Sequence, residues 1–178
     1  YDLASSSVEA TKINILNAGF PSSITFNPNA STLHWYNDNF GSEHLYSITN
    51  AFNASTSVTQ ESSIAGLLKG VRYLAYDNLN DRLFATEINF MTSTTFIKSY
   101  DTDGSNPSAV LQANNSTSTS YAGITLDVSN NEMYWADPNS NAIIKASMTT
   151  TSGAQTTVVS GVSNLKDISL DLINRKIY

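Results

Sequence analysis

Side chains that commonly carry catalysis or bind metals are few in this sequence. His34 and His44 are its only histidines, ten residues apart, and no Asp or Glu is spaced to form a repeated metal cluster with them. A Gly-x-Ser-x-Gly motif, expected of many serine hydrolases, is absent, as are the glycine motifs that cradle phosphate. We therefore predict no catalytic residues, no resident metal and no cofactor.

One stretch, 101–106, reads Asp-Thr-Asp-Gly-Ser-Asn and is similar to the opening of a calcium-binding loop. Such a loop places a bidentate Glu at its twelfth position, where this chain has Gln112. Asp-Gly is also a frequent turn pair. We interpret the stretch as a turn that connects neighbouring repeat units.

Four Asn residues satisfy the N-glycosylation rule Asn-x-Ser/Thr, and each falls in a predicted turn or loop. They are Asn29, Asn53, Asn114 and Asn115. The sequence also contains 65 Ser, Thr or Asn residues, so some of these motifs are expected by composition alone. Both interpretations stay open, and glycosylation presupposes a eukaryotic secretory protein.

Composition excludes several classes of protein. The 178 residues carry a net charge of -6, and the nine Lys and Arg residues are scattered, which argues against nucleic-acid binding. No apolar run is long enough to insert into a membrane. Cysteine is absent, so neither disulfides nor Cys-ligated zinc can stabilise the fold, and stability must come from a packed core.

Strand-forming residues dominate the sequence. Tyr, Phe and Trp occur among many Val, Ile and Thr residues. The best helical segment, 63–69, covers only two turns before Gly70. We predict a nearly all-β chain.

A repeated phrase organises these strands. An apolar strand ends in Asn or Asp, a short Asn/Asp-rich turn follows, and a second strand begins with an apolar and an aromatic residue. Equivalent residues of the first strands lie 50, 50 and 44 residues apart, close to the spacing of propeller blades: Phe26, Tyr76, Leu126 and Leu170. The repeats are approximately 4–50, 51–101, 102–148 and an incomplete 149–178.

Each repeat also predicts a third strand (43–49, 94–101 and 142–148) and a weaker strand that begins the next copy (12–16, 110–111 and 156–159). One copy is thus a four-stranded antiparallel sheet with two apolar faces, and such sheets bury their faces by stacking around an axis. We predict an all-β propeller of four-stranded blades, about four of them in this chain. A solenoid is the less favoured alternative, since its repeats are usually shorter.

The segment Met133-Tyr134-Trp135-Ala136-Asp137, after Leu126-Asp127 and a short turn, resembles the YWTD repeat, also called the low-density-lipoprotein receptor class B repeat. Ala136 replaces the usual Thr. The segment 171–178 is similar to the approach to that motif, and 33–38 keeps its Trp. The resemblance implies structural roles for Tyr134, Trp135 and Trp35 between blades, for Asp137 in tying strands together, and for Asp127 and Asp171 at the repeated turn position.

Propellers of the YWTD family usually have six blades, and this chain contains four copies at most. Three accounts fit: a small closed ring, exchange of a strand with another copy, or further blades in a longer chain. Residues 1–3 align with the end of an outer strand, and we favour the longer chain because natural domain boundaries seldom fall inside a strand.

The resemblance implies an extracellular binding platform. Our first hypothesis is a non-enzymatic, secreted or cell-surface scaffold that binds one or more proteins of unknown identity. The alternative is a propeller enzyme, a calcium-dependent lactonase or a glycosidase, with carboxylates at the mouth of the central channel. A cytoplasmic scaffold is the third hypothesis.

Overall fold

A computed structural model describes residues 21–37, 44–49, 59–60, 70–89, 92, 94–113, 121–149 and 154–178. The strands of this part of the chain are, in order, β1 (Pro21–Asn27), β2 (Thr32–Asn37), β3 (His44–Thr49), β4 (Thr59–Gln60), β5 (Val71–Asp77), β6 (Arg82–Asn89), β7 (Thr94–Asp101), β8 (Ser108–Ala113), β9 (Ile124–Asp127), β10 (Glu132–Asp137), β11 (Ala142–Ser147), β12 (Thr156–Ser160), β13 (Leu170–Asp171) and β14 (Lys176–Ile177).

Within the described residues these strands form three four-stranded sheets and one hairpin. The strand orders are β1-β2-β3-β4, β5-β6-β7-β8 and β9-β10-β11-β12, followed by β13-β14. Every paired neighbour is antiparallel. The first strands of successive sheets, β1, β5, β9 and β13, contact one another in series, as the inner strands of propeller blades do. The predicted all-β propeller of four-stranded blades is confirmed.

The turn between the first two strands of each blade repeats one geometry. In the second blade, Oδ1 of Asp77 accepts hydrogen bonds from the backbone N–H groups of Leu79 and Asn80, and Oδ2 accepts one from Asn80 Nδ2. Asp171 makes the same three contacts in its own turn. The residue that closes each turn has a left-handed φ of 50° to 55°: Ser31, Asp81, Asn131 and Arg175. The repeated Asp and Asn residues therefore stabilise these turns.

The largest core cluster fills the space between the second and third blades. Phe84, Ile97 and Leu111 from the second blade meet Met133 and Trp135 from the third, and all are buried. Alternate residues of one strand point to opposite faces of its sheet, so the repeat supplies an apolar face toward each neighbouring blade. By stacking in this way, the sheets bury apolar faces that a single sheet could not bury alone.

Two further clusters join the other blades. Tyr36 and Leu45 of the first blade lie in one cluster with Leu83 and Tyr100 of the second. On the other side of the third blade, the buried side chains of Tyr134, Ile143 and Ile168 pack against the β13–β14 hairpin. The hairpin contributes the partly buried Leu170 and Ile177.

One expectation about strand membership is wrong. In the second and third blades the weaker strand does not begin the next copy; it pairs with the third strand before it, as β8 does with β7 and β12 with β11. A turn of residues 102–107 leads from β7 directly to β8, so antiparallel pairing of these two strands follows. The predictions for 1–3, 12–16 and 63–69 lie outside the described residues, and the assignment of the chain as one propeller segment stays a prediction.

Gly123, just before β9, is a point of close contact between the third blade and the β13–β14 hairpin. Its N–H donates to Lys166 O, and a Cβ at this position would lie 2.6 Å from Asp167 Cα and 2.7 Å from Ile168 N. We expect Gly123→Ala to lower the free energy of unfolding by about 1–3 kcal/mol, because backbone atoms must shift. Urea denaturation measures the change.

Gly161→Ala is the matched control. No atom lies within 4 Å of a Cβ built at Gly161, although its φ of +78° carries a backbone cost of about 1 kcal/mol for Ala. Equal losses for the two variants would contradict a steric role for Gly123.

Candidate functional site

The aromatic residues of the YWTD-like motif pack between blades. Trp135 is fully buried in the cluster between the second and third blades, and its ring meets that of Tyr121 at a centroid distance of 5.6 Å. Tyr134 faces the opposite side, where its hydroxyl donates to Glu132 Oε2 at 2.6 Å. Burial and the Glu132 carboxylate raise the pKa of Tyr134 to about 12. Trp35 is buried in the first blade and stacks on Tyr46.

The last position of the motif is buried and polar in three blades, where it holds Asn37, Glu87 and Asp137. Asp137 Oδ1 accepts from Asn139 N at 2.9 Å, and its Oδ2 accepts from Ser140 Oγ at 2.9 Å. These hydrogen bonds stabilise the turn between β10 and β11, so the Asp137 carboxylate has a structural role in the β10–β11 hairpin.

Glu87 has a different set of partners at the same position. Lys98 Nζ donates to Glu87 Oε2 at 2.7 Å, and the Tyr100 hydroxyl donates to Glu87 Oε1. The side chain of Glu87 is only 4% exposed and that of Lys98 is 22% exposed. Burial raises the pKa of Glu87, although the hydrogen bonds from Lys98 and Tyr100 oppose that rise. The second blade thus contains a buried ion pair that the sequence motif did not predict.

Carboxylates at the ends of the inner strands are the groups that a channel-mouth enzyme would use. Asp77 and Asp171 are held by their own turns. Asp127 accepts from Asn130 through both oxygens and also from Arg175 Nη1 at 3.2 Å. These side chains are engaged in hydrogen bonds that fix turns and join neighbouring blades.

The two histidines lie in the first blade. The buried ring of His34 stacks at 6.3 Å on Tyr76 of the second blade, and His44 lies 6.0 Å from the ring of Tyr46. In the described part of the chain no three His, Cys, Asp or Glu residues are grouped to hold a metal ion.

The calcium-like stretch 101–106 is the turn between β7 and β8. It joins two strands of one blade, so the expectation of a turn between repeat units is wrong. Asp101 pairs with Arg82 at 2.7 Å and accepts from Asn106 Nδ2 at 2.6 Å. Asp103 Oδ1 accepts from Ser105 N. These bonds explain the composition of the stretch as turn chemistry.

Of the four glycosylation candidates, Asn29 lies among the described residues and is exposed in the turn between β1 and β2. Its Nδ2 donates to Asn78 O in the corresponding turn of the second blade at 2.9 Å. Asn53, Asn114 and Asn115 lie outside the described residues. Among those described, no helix has the length and apolar character of a membrane span.

An open groove lies where the inner strands β5 and β9 begin and where residues 161–169 lead into β13. We call it the linker-face groove; it has a volume of about 490 Å³, and its lining includes Arg72, Tyr73, Tyr121, Leu165 and Lys166. Two of its walls are tied together, because Gly123 N donates to Lys166 O. The groove therefore spans the second and third blades and the approach to β13.

The linker-face groove combines aromatic, aliphatic and cationic groups. Burial, followed by the Asp167 carboxylate, raises the pKa of Tyr73, and burial with Asp137 raises that of Tyr121 to about 12. Both phenols are therefore neutral hydrogen-bonding groups at neutral pH. Tyr and Arg are enriched at the centres of protein interfaces, so the groove is suited to a protein ligand. No sequence motif marked it, because its residues come from the start of β5, the turn between β10 and β11, and the segments that precede β9 and β13.

No protein-family model and no curated protein sequence matches the chain. Solved structures do. The chain is similar to one in the nidogen/laminin complex, with a TM-score of 0.66 and 17% identity over 88% of this chain and 55% of the other. It is also similar to a protein of unknown function from Bacteroides thetaiotaomicron, with a TM-score of 0.61 and 15% identity over 90% of this chain and 38% of the other.

A luciferin-regenerating enzyme gives a TM-score of 0.57 and 16% identity over 82% of this chain and 48% of that one. The chain thus spans about half the length, or less, of these three proteins. At identities this low the likeness shows the fold alone, and the fold that it shows is that of the all-β propeller described above.

Proposed function

We propose that this chain is a non-enzymatic scaffold module of an extracellular protein, built on a YWTD-like β-propeller, and that it binds another protein through the linker-face groove. The observation that carries this proposal is the composition of that groove, with Tyr73 and Tyr121 beside Leu165, Arg72 and Lys166. The solved structure of the nidogen/laminin complex supports it, since that propeller-like relative is described in a complex with another protein.

The arrangement of carboxylates also supports a binding role. A hydrolase of the lactonase or glycosidase kind needs carboxylates that converge on bound substrate or metal. Asp77, Asp127 and Asp171 instead accept hydrogen bonds inside their turns.

Binding of a protein partner at the linker-face groove is tested with a pair of charge-reversal variants. Lys166 is exposed in the groove, and Lys176 is exposed on β14, outside it. The immobilised chain is used to capture proteins from the extracellular fraction of its source organism, captured proteins are identified by mass spectrometry, and the affinity of each purified candidate is measured by calorimetry. We expect a protein whose affinity falls about tenfold with Lys166→Glu and stays unchanged with Lys176→Glu. Equal affinities for the two variants would contradict binding at this groove.

Two further measurements test the rest of the proposal. Calcium-dependent hydrolysis of a lactone, or hydrolysis of a glycoside, by the purified chain would overturn the non-enzymatic role. Glycans found by mass spectrometry on Asn29, Asn53, Asn114 or Asn115 would support an extracellular location.

A further inference from the structure

A second groove lies on the opposite face, where the turns between first and second strands are located. We call it the turn-face groove; it runs between the second and third blades and has a volume of about 440 Å³, within the range of about 300–1,000 Å³ typical of small-molecule sites. Polar residues from three separate turns line it: Asn80, Asn106 and Asn131.

The three amide groups are held in place through their nitrogen atoms. Asn80 Nδ2 donates to Asp77 Oδ2 at 2.7 Å, and Asn106 Nδ2 donates to Asp101 Oδ2 at 2.6 Å. Asn131 Nδ2 donates to two hydroxyl groups, at 3.0 and 3.1 Å. Since the nitrogen donors are engaged, each Oδ1 atom is the group of its amide best suited to receive a ligand's hydrogen bond.

Backbone geometry fixes two of these amides further. Asn106 has a φ of 49° and Asn131 a φ of 55°, so both are in the left-handed region that turns require. Acceptors held by turns and hydrogen bonds lose little freedom when a ligand binds, which favours affinity.

Charges near the groove are already compensated. Arg82 pairs with Asp101 at 2.7 Å and donates to Asn106 O at 3.0 Å. Both oxygens of Asp77 accept hydrogen bonds within the turn. The described residues that line the groove therefore offer neither an uncompensated cation for a phosphate or sulfate nor a free carboxylate for a metal ion.

Apolar side chains complete the lining, namely Phe84, Val110 and Met148. A matching ligand is neutral, has several O–H donors for the amide oxygens, and has an apolar C–H face for these side chains. A pyranose ring has these properties. A peptide matches less well, since its backbone needs donors and acceptors in similar number. We propose that the turn-face groove is a binding site for neutral saccharides.

This inference does not rest on the proposed protein partner, because the two grooves lie on opposite faces. The test uses the full chain with four neutral disaccharides as probes: cellobiose, laminaribiose, diacetylchitobiose and mannobiose. Calorimetry and saturation-transfer NMR are expected to detect at least one of them with a Kd of about 1 mM or below. Failure of all four to bind, or tighter binding of glucose 6-phosphate or of a neutral tetrapeptide, would overturn the proposal.

Glycine substitutions locate the site, because glycine keeps the left-handed φ while it removes the amide. Asn106→Gly combined with Asn131→Gly is expected to weaken disaccharide binding about tenfold or more. Asn141→Gly is the matched control, with a φ of 52° on the other face, and should leave the affinity unchanged.

The single variants and their Tm values separate loss of the site from loss of the fold. Folded Asn106→Gly and Asn131→Gly proteins that both keep the full affinity would exclude the amide acceptors and overturn the assignment.

Discussion

Replacing Trp135 with alanine is expected to lower the free energy of unfolding by about 3–5 kcal/mol. The side chain is fully buried in the cluster that joins the second and third blades, and it is the largest of the fully buried side chains among the described residues. Alanine would remove its apolar surface and leave a cavity between two sheets that relax only in part. Urea denaturation followed by far-ultraviolet circular dichroism measures the loss without relying on tryptophan fluorescence.

The corresponding position of the second blade shows why this loss of stability is expected at Trp135 in particular. Ala85 occupies the corresponding position of the second blade and is also fully buried, because Tyr36, Leu45 and Tyr100 belong to its surroundings. An alanine is therefore tolerated where large neighbours fill the gap. Around Trp135 the neighbouring side chains leave a space that the indole ring fills.

Trp135→Phe is the control. The Nε1 atom of Trp135 makes no hydrogen bond among the described residues, so phenylalanine loses packing but no hydrogen bond. We expect it to retain most of the stability that alanine loses. A loss below about 1 kcal/mol for Trp135→Ala would contradict the role of this residue in holding two blades together.

The same equivalence explains why the fold could be predicted. Apolar alternation and turns that begin with Asp or Asn recur at intervals of 50, 50 and 44 residues, and both are local properties of the chain. The strand register confirms the predicted alignment of the repeats: β1 and β2 pair Phe26 with Leu33, and β9 and β10 pair Leu126 with Met133 at the equivalent positions. The third strands also fall close to the predicted ranges.

Features that depend on packing between segments could not be predicted in this way. The sequence of β8 does not show whether it pairs with the strand before or after it, because its apolar residues suit either neighbour, and the structure pairs it with β7. The two grooves are assembled from turns and connections of different blades, whose order around the axis carries no sequence signature. Glu87 stands at the position of the motif Asp, and only the register of β6 against β7 brings it near Lys98.

Lys98→Met is expected to lower the free energy of unfolding by about 3 kcal/mol at about pH 7. Methionine keeps the apolar stem of Lys98 but removes the ammonium group that pairs with Glu87 at 2.7 Å. The carboxylate would then stay buried with the Tyr100 hydroxyl as its remaining partner among the contacts described above. Removing one member of a buried pair is costly because the other charge keeps its desolvation penalty.

The loss should depend on pH in a defined direction. Burial raises the pKa of Glu87 in the folded protein, so the stability associated with its neutral form is fully present below the unfolded-state pKa and is lost as the pH rises through the folded-state pKa. Without Lys98 the folded-state pKa rises further. The stability difference between wild type and Lys98→Met should therefore be small at about pH 4 and grow toward about pH 7. A difference that is constant over this range would contradict the charge as its cause.

Combining Lys98→Met with Glu87→Gln separates the effect of the unpaired buried carboxylate from the loss of the ammonium group's contact with Phe96. Glutamine keeps an oxygen that can accept from Tyr100 but carries no charge, so no uncompensated carboxylate remains. Buried ion pairs replaced by neutral groups of similar size often cost little, and we expect the double variant to recover most of the stability at about pH 7. It should also lose the pH dependence of the single variant. A double variant as unstable as Lys98→Met would show that the lysine stabilises the second blade through its cation–π contact with Phe96, whose ring centroid lies 5.1 Å from Nζ.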